Sequence, residues 1–106
     1  MPERTVLIYA DWKAWPTWTV TDSGSVDNPS PSDLGLSDEL SADLVAWADE
    51  YDAIFDEDYP PDTAFPSEEA ERSWIARGHE LARRAAAELG PATEVRYRSG
   101  GEHLAV

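Results

Sequence analysis

The stretch SDELSADLVAWADEYDAIFDED, residues 37–58, decides how the rest of the chain is read. Leu40, Leu44, Trp47, Ala48, Tyr51, Ile54 and Phe55 recur at three- and four-residue intervals, which makes one apolar stripe on a helix. Ser37 is placed to cap the first turn, and Asp38 and Glu39 stand where the helix dipole favours anions. The pattern predicts a helix over 38–57, stopped before Pro60-Pro61 because proline cannot continue the backbone ladder. Pro66-Ser67-Glu68-Glu69 repeats the opening signature and predicts a second helix over 67–89. Its stripe is Ala70, Trp74, Gly78, Leu81, Ala82, Ala85 and Leu89, and Gly90-Pro91 ends it. Gly78 lies on that stripe, where the missing side chain admits close approach by Trp47 or Tyr51. Arg83 and Arg84 come late in the helix, where cations suit the dipole.

Outside the two helices the hydrophobic period changes from four to two. Residues 5–10 (Thr-Val-Leu-Ile-Tyr-Ala) are β-branched and aromatic, which predicts a buried strand. Residues 17–21 alternate threonine with large side chains, and Pro16 confines that strand to an edge or to a strand start. Residues 93–98 alternate as a half-buried strand, Ser99-Gly100-Gly101 breaks it, and 103–106 suit a short closing strand. Residues 22–36 are expected to form a flexible acidic Ser/Pro loop, with nothing in 22–33 to build a core. The expected architecture is α+β: a small sheet with antiparallel pairing and a helical hairpin (38–57 and 67–89) packed on one face. All of residues 1–106 fit in a single domain.

Eight Lys and Arg face 22 Asp and Glu, for a formal net charge of −14. Between Lys13 and Arg72 there is no Lys, Arg or His, yet that stretch holds sixteen acids. This asymmetry predicts one strongly negative face, which repels nucleic acid and anionic membrane and attracts basic proteins or cations. The same charge also keeps a small protein soluble. There is no cysteine, which removes disulfides and thiol chemistry together. The first apolar run, about five residues, is too short for a signal core or a membrane span. Cytoplasm is the expected compartment.

Three candidate sites compete. Asp49, Asp52 and Asp56 share one exposed helical stripe, while Glu39, Asp43 and Glu50 form another. Like charges at this spacing cost about 0.2–0.5 kcal/mol each. Asp56, Glu57 and Asp58 stand at the negative end of the dipole, where they cost rather than help. A negative cluster at 49–62, with Asp62 at its end, is therefore a candidate partner-binding surface. Trp12, Trp15 and Trp18 cannot all enter one core from strand geometry, so at least one is expected at the surface, with Trp15 and Trp18 as interface anchors. A cation site using Asp56, Asp58 and Asp62 is the third candidate. An EF-hand reading fails, because Pro60, Pro61 and Ser67 fall where a ligand, a glycine and a glutamate are required. His79 and His103 have no second ligand four residues away, and no phosphate loop or nucleophile elbow occurs. No cofactor and no catalytic residue is expected.

Leu34-Gly35-Leu36-Ser37, the Trp47–Asp52 stretch, Pro60-Pro61, Phe65, the Gly78–Leu81 segment and Glu88-Leu89-Gly90 together carry a resemblance over roughly residues 5–98. The chain resembles small acidic bacterial proteins common in actinobacteria, some of which accompany secreted polymorphic toxins as immunity proteins. That resemblance implies a non-enzymatic immunity protein, and the uninterrupted acidic stretch with aromatic anchors beside it points to a basic toxin, such as a nuclease, bound through the acidic surface. The residues themselves leave two alternatives open. One is an interaction or regulatory module that binds through 12–18, its acidity serving solubility. The other is a cation binder or carboxylate enzyme.

Overall fold

The structure, a computed structural model, describes residues 4–21, 23–55, 58–59, 64–99, 102–104 and 106. Strands β1 (Arg4–Ile8), β2 (Thr17–Val20) and β3 (Val26–Asp27) come first, followed by a 3-10 turn at Ser32–Leu34. Helices α1 (Asp38–Ile54) and α2 (Glu68–Leu89) are next, and then β4 (Thr93–Ser99) and β5 (Glu102–Leu104). The sheet has five strands in the order β3-β2-β1-β4-β5. β1 runs parallel to β4 through the helical crossover, and the other neighbours pair antiparallel. The α+β class, the sheet with antiparallel pairing and the helical hairpin are as the sequence predicts. β2 lies between β3 and β1, so Pro16 stands just ahead of a strand and not on an edge.

One face of the sheet meets the helices. Val6, Ile8, Thr17 and Tyr97 point to that side and are fully buried, against Leu40, Leu44 and Trp47 of α1 and Leu81, Ala82 and Ala85 of α2. Trp47 and Trp74 tie the helices together. Their rings stack at 4.4 Å and 11°, and each indole N–H donates to the other's backbone carbonyl, at 2.9 and 3.0 Å. Gly78 makes this approach possible, since a Cβ there would overlap the Trp47 ring and the Tyr97 hydroxyl. The close neighbours are thus Trp47 and Tyr97; Tyr51 instead lies along the hairpin against Trp74 and Phe55.

The helix ends agree with the sequence, with two corrections. Ser37 and Ser67 cap their helices by accepting from Leu40 N and Ala70 N, and Gly90 closes α2 with φ +80°. α1 ends at Ile54, earlier than expected, because Phe55 turns to extended backbone with its ring stacked on Trp12 at 4.6 Å. Asp56 and Glu57 fall outside the described residues. Arg83 and Arg84 precede the last turn of α2, which holds no base; Arg84 reaches across to Asp43 instead.

The segment read as a solvated loop contains β3 and the 3-10 turn, and it reaches the core through Pro31, Leu34 and Leu36. The expectation that 22–33 offers nothing to bury fails at Pro31. Asn28 explains how the segment is held. Its side chain accepts from Trp15 N at 3.0 Å and donates to Trp15 O and Thr17 O at 2.9 and 2.8 Å. That amide serves backbone groups next to Pro16, which has no N–H of its own to pair.

Candidate interaction surface

α1 has two exposed flanks of different electrostatic character. On the flank facing α2, Glu50 pairs with Arg77 at 2.6 Å and Asp43 with Arg84 at 2.8 Å. These two acids are therefore neutralised across the hairpin. Between the pairs lies a hollow of about 310 Å³ over Trp47 and Leu81. The hydrogen bonds raise both arginines above their ordinary value, which keeps the pairs charged.

The other flank faces the Trp15 loop. Asp38, Ala42, Val45 and Asp49 recur at four-, three- and four-residue steps, so they form one row three turns long, about 16 Å along the axis. Trp15, 46 % exposed, stands opposite this row. Two hollows of about 310 and 600 Å³ adjoin there and share Trp15, Val45 and Asp49 as walls. Among the described residues, neither Asp38 nor Asp49 makes an ion pair.

Asp52, one turn beyond Asp49, accepts from the backbone N–H of Lys13 at 3.2 Å. It fastens the 11–14 turn, in which Lys13 has φ 56° and holds its ammonium 4.6 Å from the Trp12 ring centre. The phenol of Tyr51 nearby is raised above its ordinary value, first by burial and then by Tyr9, Asp11 and Asp52.

The sequence-predicted site residues are therefore divided. Trp15, Asp49 and Asp52 come together at the C-terminal half of α1. Asp58 is exposed beyond the helix end, and Asp56, Glu57 and Asp62 lie outside the described residues. Trp18 points to the opposite face of the sheet, beside Leu7, and donates its indole N–H to Tyr9 O at 3.0 Å. Trp12 is half-buried on Phe55.

Residues 4–100 match the family described as Serratia CdiI immunity protein-like. The chain belongs to this family. No curated protein matches it. An immunity protein neutralises its toxin by binding it, so membership gives the chain a toxin-neutralising, protein-binding role.

For a CdiI-like immunity protein, the features that matter are those that present a surface to another protein. Among the described residues, no group of three or more His, Asp or Glu is placed to hold a metal. No helix among them is long and apolar enough to cross a membrane. The sequence reading of this family member missed Asn28 and Ser41. Asn28 fixes the Trp15 backbone on both sides. Its only sequence signal was an amide residue within about a dozen positions of an exposed tryptophan, too common a pattern to single it out. Ser41 lies inside an apolar helix face, where a small hydroxyl reads as filler.

Proposed function

We propose that the protein is a non-enzymatic immunity protein that neutralises a basic toxin, a nuclease by preference, by covering its positive cleft with the Asp38–Asp49 flank of α1. The observation that carries this reading is the asymmetry of α1. On one flank Asp43 and Glu50 are paired with arginines, with Glu39 at its start outside those pairs, whereas Asp38 and Asp49 on the other face a groove beside an exposed tryptophan. A negative surface speeds encounter with a positive cleft through long-range steering, and a tryptophan in a groove supplies a desolvated anchor. Asp56, Glu57, Asp58 and Asp62 add four negative charges to the steering of a basic partner. Asp52 acts at one remove, by holding the turn before Trp15. The place of action is the cytoplasm, and no cofactor takes part.

The test is capture from the host's lysate at low and moderate salt, with identification by mass spectrometry. One basic toxin held through moderate salt is the expected result. A scatter of basic proteins lost on raising the salt would reduce the charge to solubility.

A second reading has one observation in its favour. The sheet face opposite the helices carries Leu7, Trp18, Val20 and Val26 with no element among the described residues over it, and Val26 is 55 % exposed. An interaction module would bind there. Replacing Trp18 would then abolish capture, and neutralising Asp49 would not.

A further inference from the structure

The groove on the Trp15 flank of α1 contains an unsatisfied group. Ser41 lines the larger hollow and is 7 % exposed, and its hydroxyl oxygen, almost without accessible surface of its own, has no hydrogen-bond partner among the described residues. A helical serine normally turns its hydroxyl back to the carbonyl four residues earlier. Here that carbonyl, on Ser37, receives the Ser41 amide at 2.8 Å and takes nothing from the hydroxyl. Alanine at this position would fill the same space without a stranded hydroxyl, so fold stability does not account for the serine.

We propose that this groove receives an extended segment of the toxin bearing two arginines, one seated between Asp38 and Ser41 and the other between Asp49 and Trp15. The inference rests on the immunity reading and specifies what its surface holds. Asp38 and Ser41 are three residues apart and both line the larger hollow, so the Asp38 carboxylate accepts guanidinium N–H groups from the groove, and the Ser41 hydroxyl joins it once a turn about its χ1 bond brings the covered oxygen into the hollow. Asp49 and Trp15 both wall the adjoining hollows, where a guanidinium pairs with the carboxylate and stacks on the indole. Lysine fits less well, because a compact ammonium has neither the planar fork nor the stacking face. The two seats lie roughly 12–16 Å apart along the helix. An extended strand presents residues i and i+4 on one side about 13 Å apart, which matches that span. Val45 and Ala42 form an apolar floor between the seats, suited to small side chains.

The probe is the peptide Ac-Arg-Ala-Ala-Ala-Arg-NH2, titrated into the full-length nitrogen-15-labelled chain and followed by NMR. Expected shifts are confined to the Trp15 indole and to the amides of Ser41, Val45 and Asp49. Replacing either arginine by citrulline, which keeps the shape and removes the charge, weakens binding about tenfold. Ser41→Ala and Asp49→Asn each weaken it similarly, and Ser41→Ala leaves the melting temperature equal or higher. Equal binding by the lysine or citrulline peptides, or shifts elsewhere on the molecule, overturns the proposal. A Ser41→Ala/Asp49→Asn chain that ignores the peptide yet still captures the basic toxin overturns the groove as receptor and leaves the immunity reading intact. An unaltered chain that captures no basic toxin overturns both.

Discussion

Gly78 is where the two helices and the sheet come closest, and its missing Cβ sets their separation. Gly78→Ala gains helix propensity of about 1 kcal/mol. It also drives a methyl group into the Trp47 ring and the Tyr97 hydroxyl, both fixed in the core. Overpacking of this kind costs about 1–3 kcal/mol or more. With the overlap falling on two fixed core groups, the expected net is a loss of about 2 kcal/mol, from the upper end of that range less the propensity gain, read as a lower urea midpoint. Tyr97 gives a pH signature. Burial pushes its phenol up to about 12 from 10.0, and its hydroxyl donates to Ile75 O at 2.9 Å. The folded state therefore holds this proton more tightly than the unfolded chain. Its contribution is complete below pH 10 and is lost as pH rises towards about 12. The slope is about 1.4 kcal/mol per pH unit. Denaturant midpoints at pH 8, 10 and 11.5 check it, and Tyr97→Phe removes the Tyr97 share of the slope and leaves that of Tyr51. Asn28→Ala tests positioning, because it frees the Trp15 backbone without touching the groove wall. Partner affinity should fall several-fold with little change in the circular-dichroism spectrum.

At the scale of elements, α1 is held from both ends by other parts of the chain. Glu88 of α2 accepts from the Ser37 amide and hydroxyl, both at 2.7 Å, and these bonds lower its pKa below 4.5. A carboxylate lowered on folding adds stability above its unfolded pKa, and that part is lost as pH falls through the folded value. Glu88→Gln should thus lower the melting temperature at pH 7 and flatten its decline as the pH falls below the ordinary glutamate range. Both helices were legible in the sequence, because serine caps, early acids and a four-residue stripe each act within one turn. β1, β2 and β4 were legible from β-branched and aromatic residues and from two-residue alternation, which are also local signals. β3 was not, since Val26-Asp27 is two residues long and pairs only because Asn28 and Pro31 anchor the chain immediately after it. The early end of α1 was also hidden, because Phe55 is drawn off the helix by Trp12, which is distant in sequence. At the site, Trp15 and Asp49 were legible as residue types, but their meeting across one groove depends on how the loop docks on α1.

Across the whole molecule, charge and cover are arranged in opposite senses. The helical side is largely acidic, with its middle stitched by the Arg77 and Arg84 pairs, while Arg96 and Glu94 lie on the uncovered sheet face. A basic partner drawn in by a net charge of −14 is steered to the helices, and there the Trp15 flank sets two acids free of ion pairs, Asp38 and Asp49, beside an exposed tryptophan. The decisive question is where the toxin sits. The most direct measurement is calorimetric titration of the captured toxin into three chains: unaltered, Trp15→Ala/Asp49→Asn, and Trp18→Ala. The predicted result is a loss of about 100-fold or more in the first variant, the size of one interface hot spot, with the second close to the unaltered chain. Unchanged affinity in the Trp15→Ala/Asp49→Asn chain, with binding lost in Trp18→Ala, would place the toxin on the open sheet and contradict the proposed docking on α1.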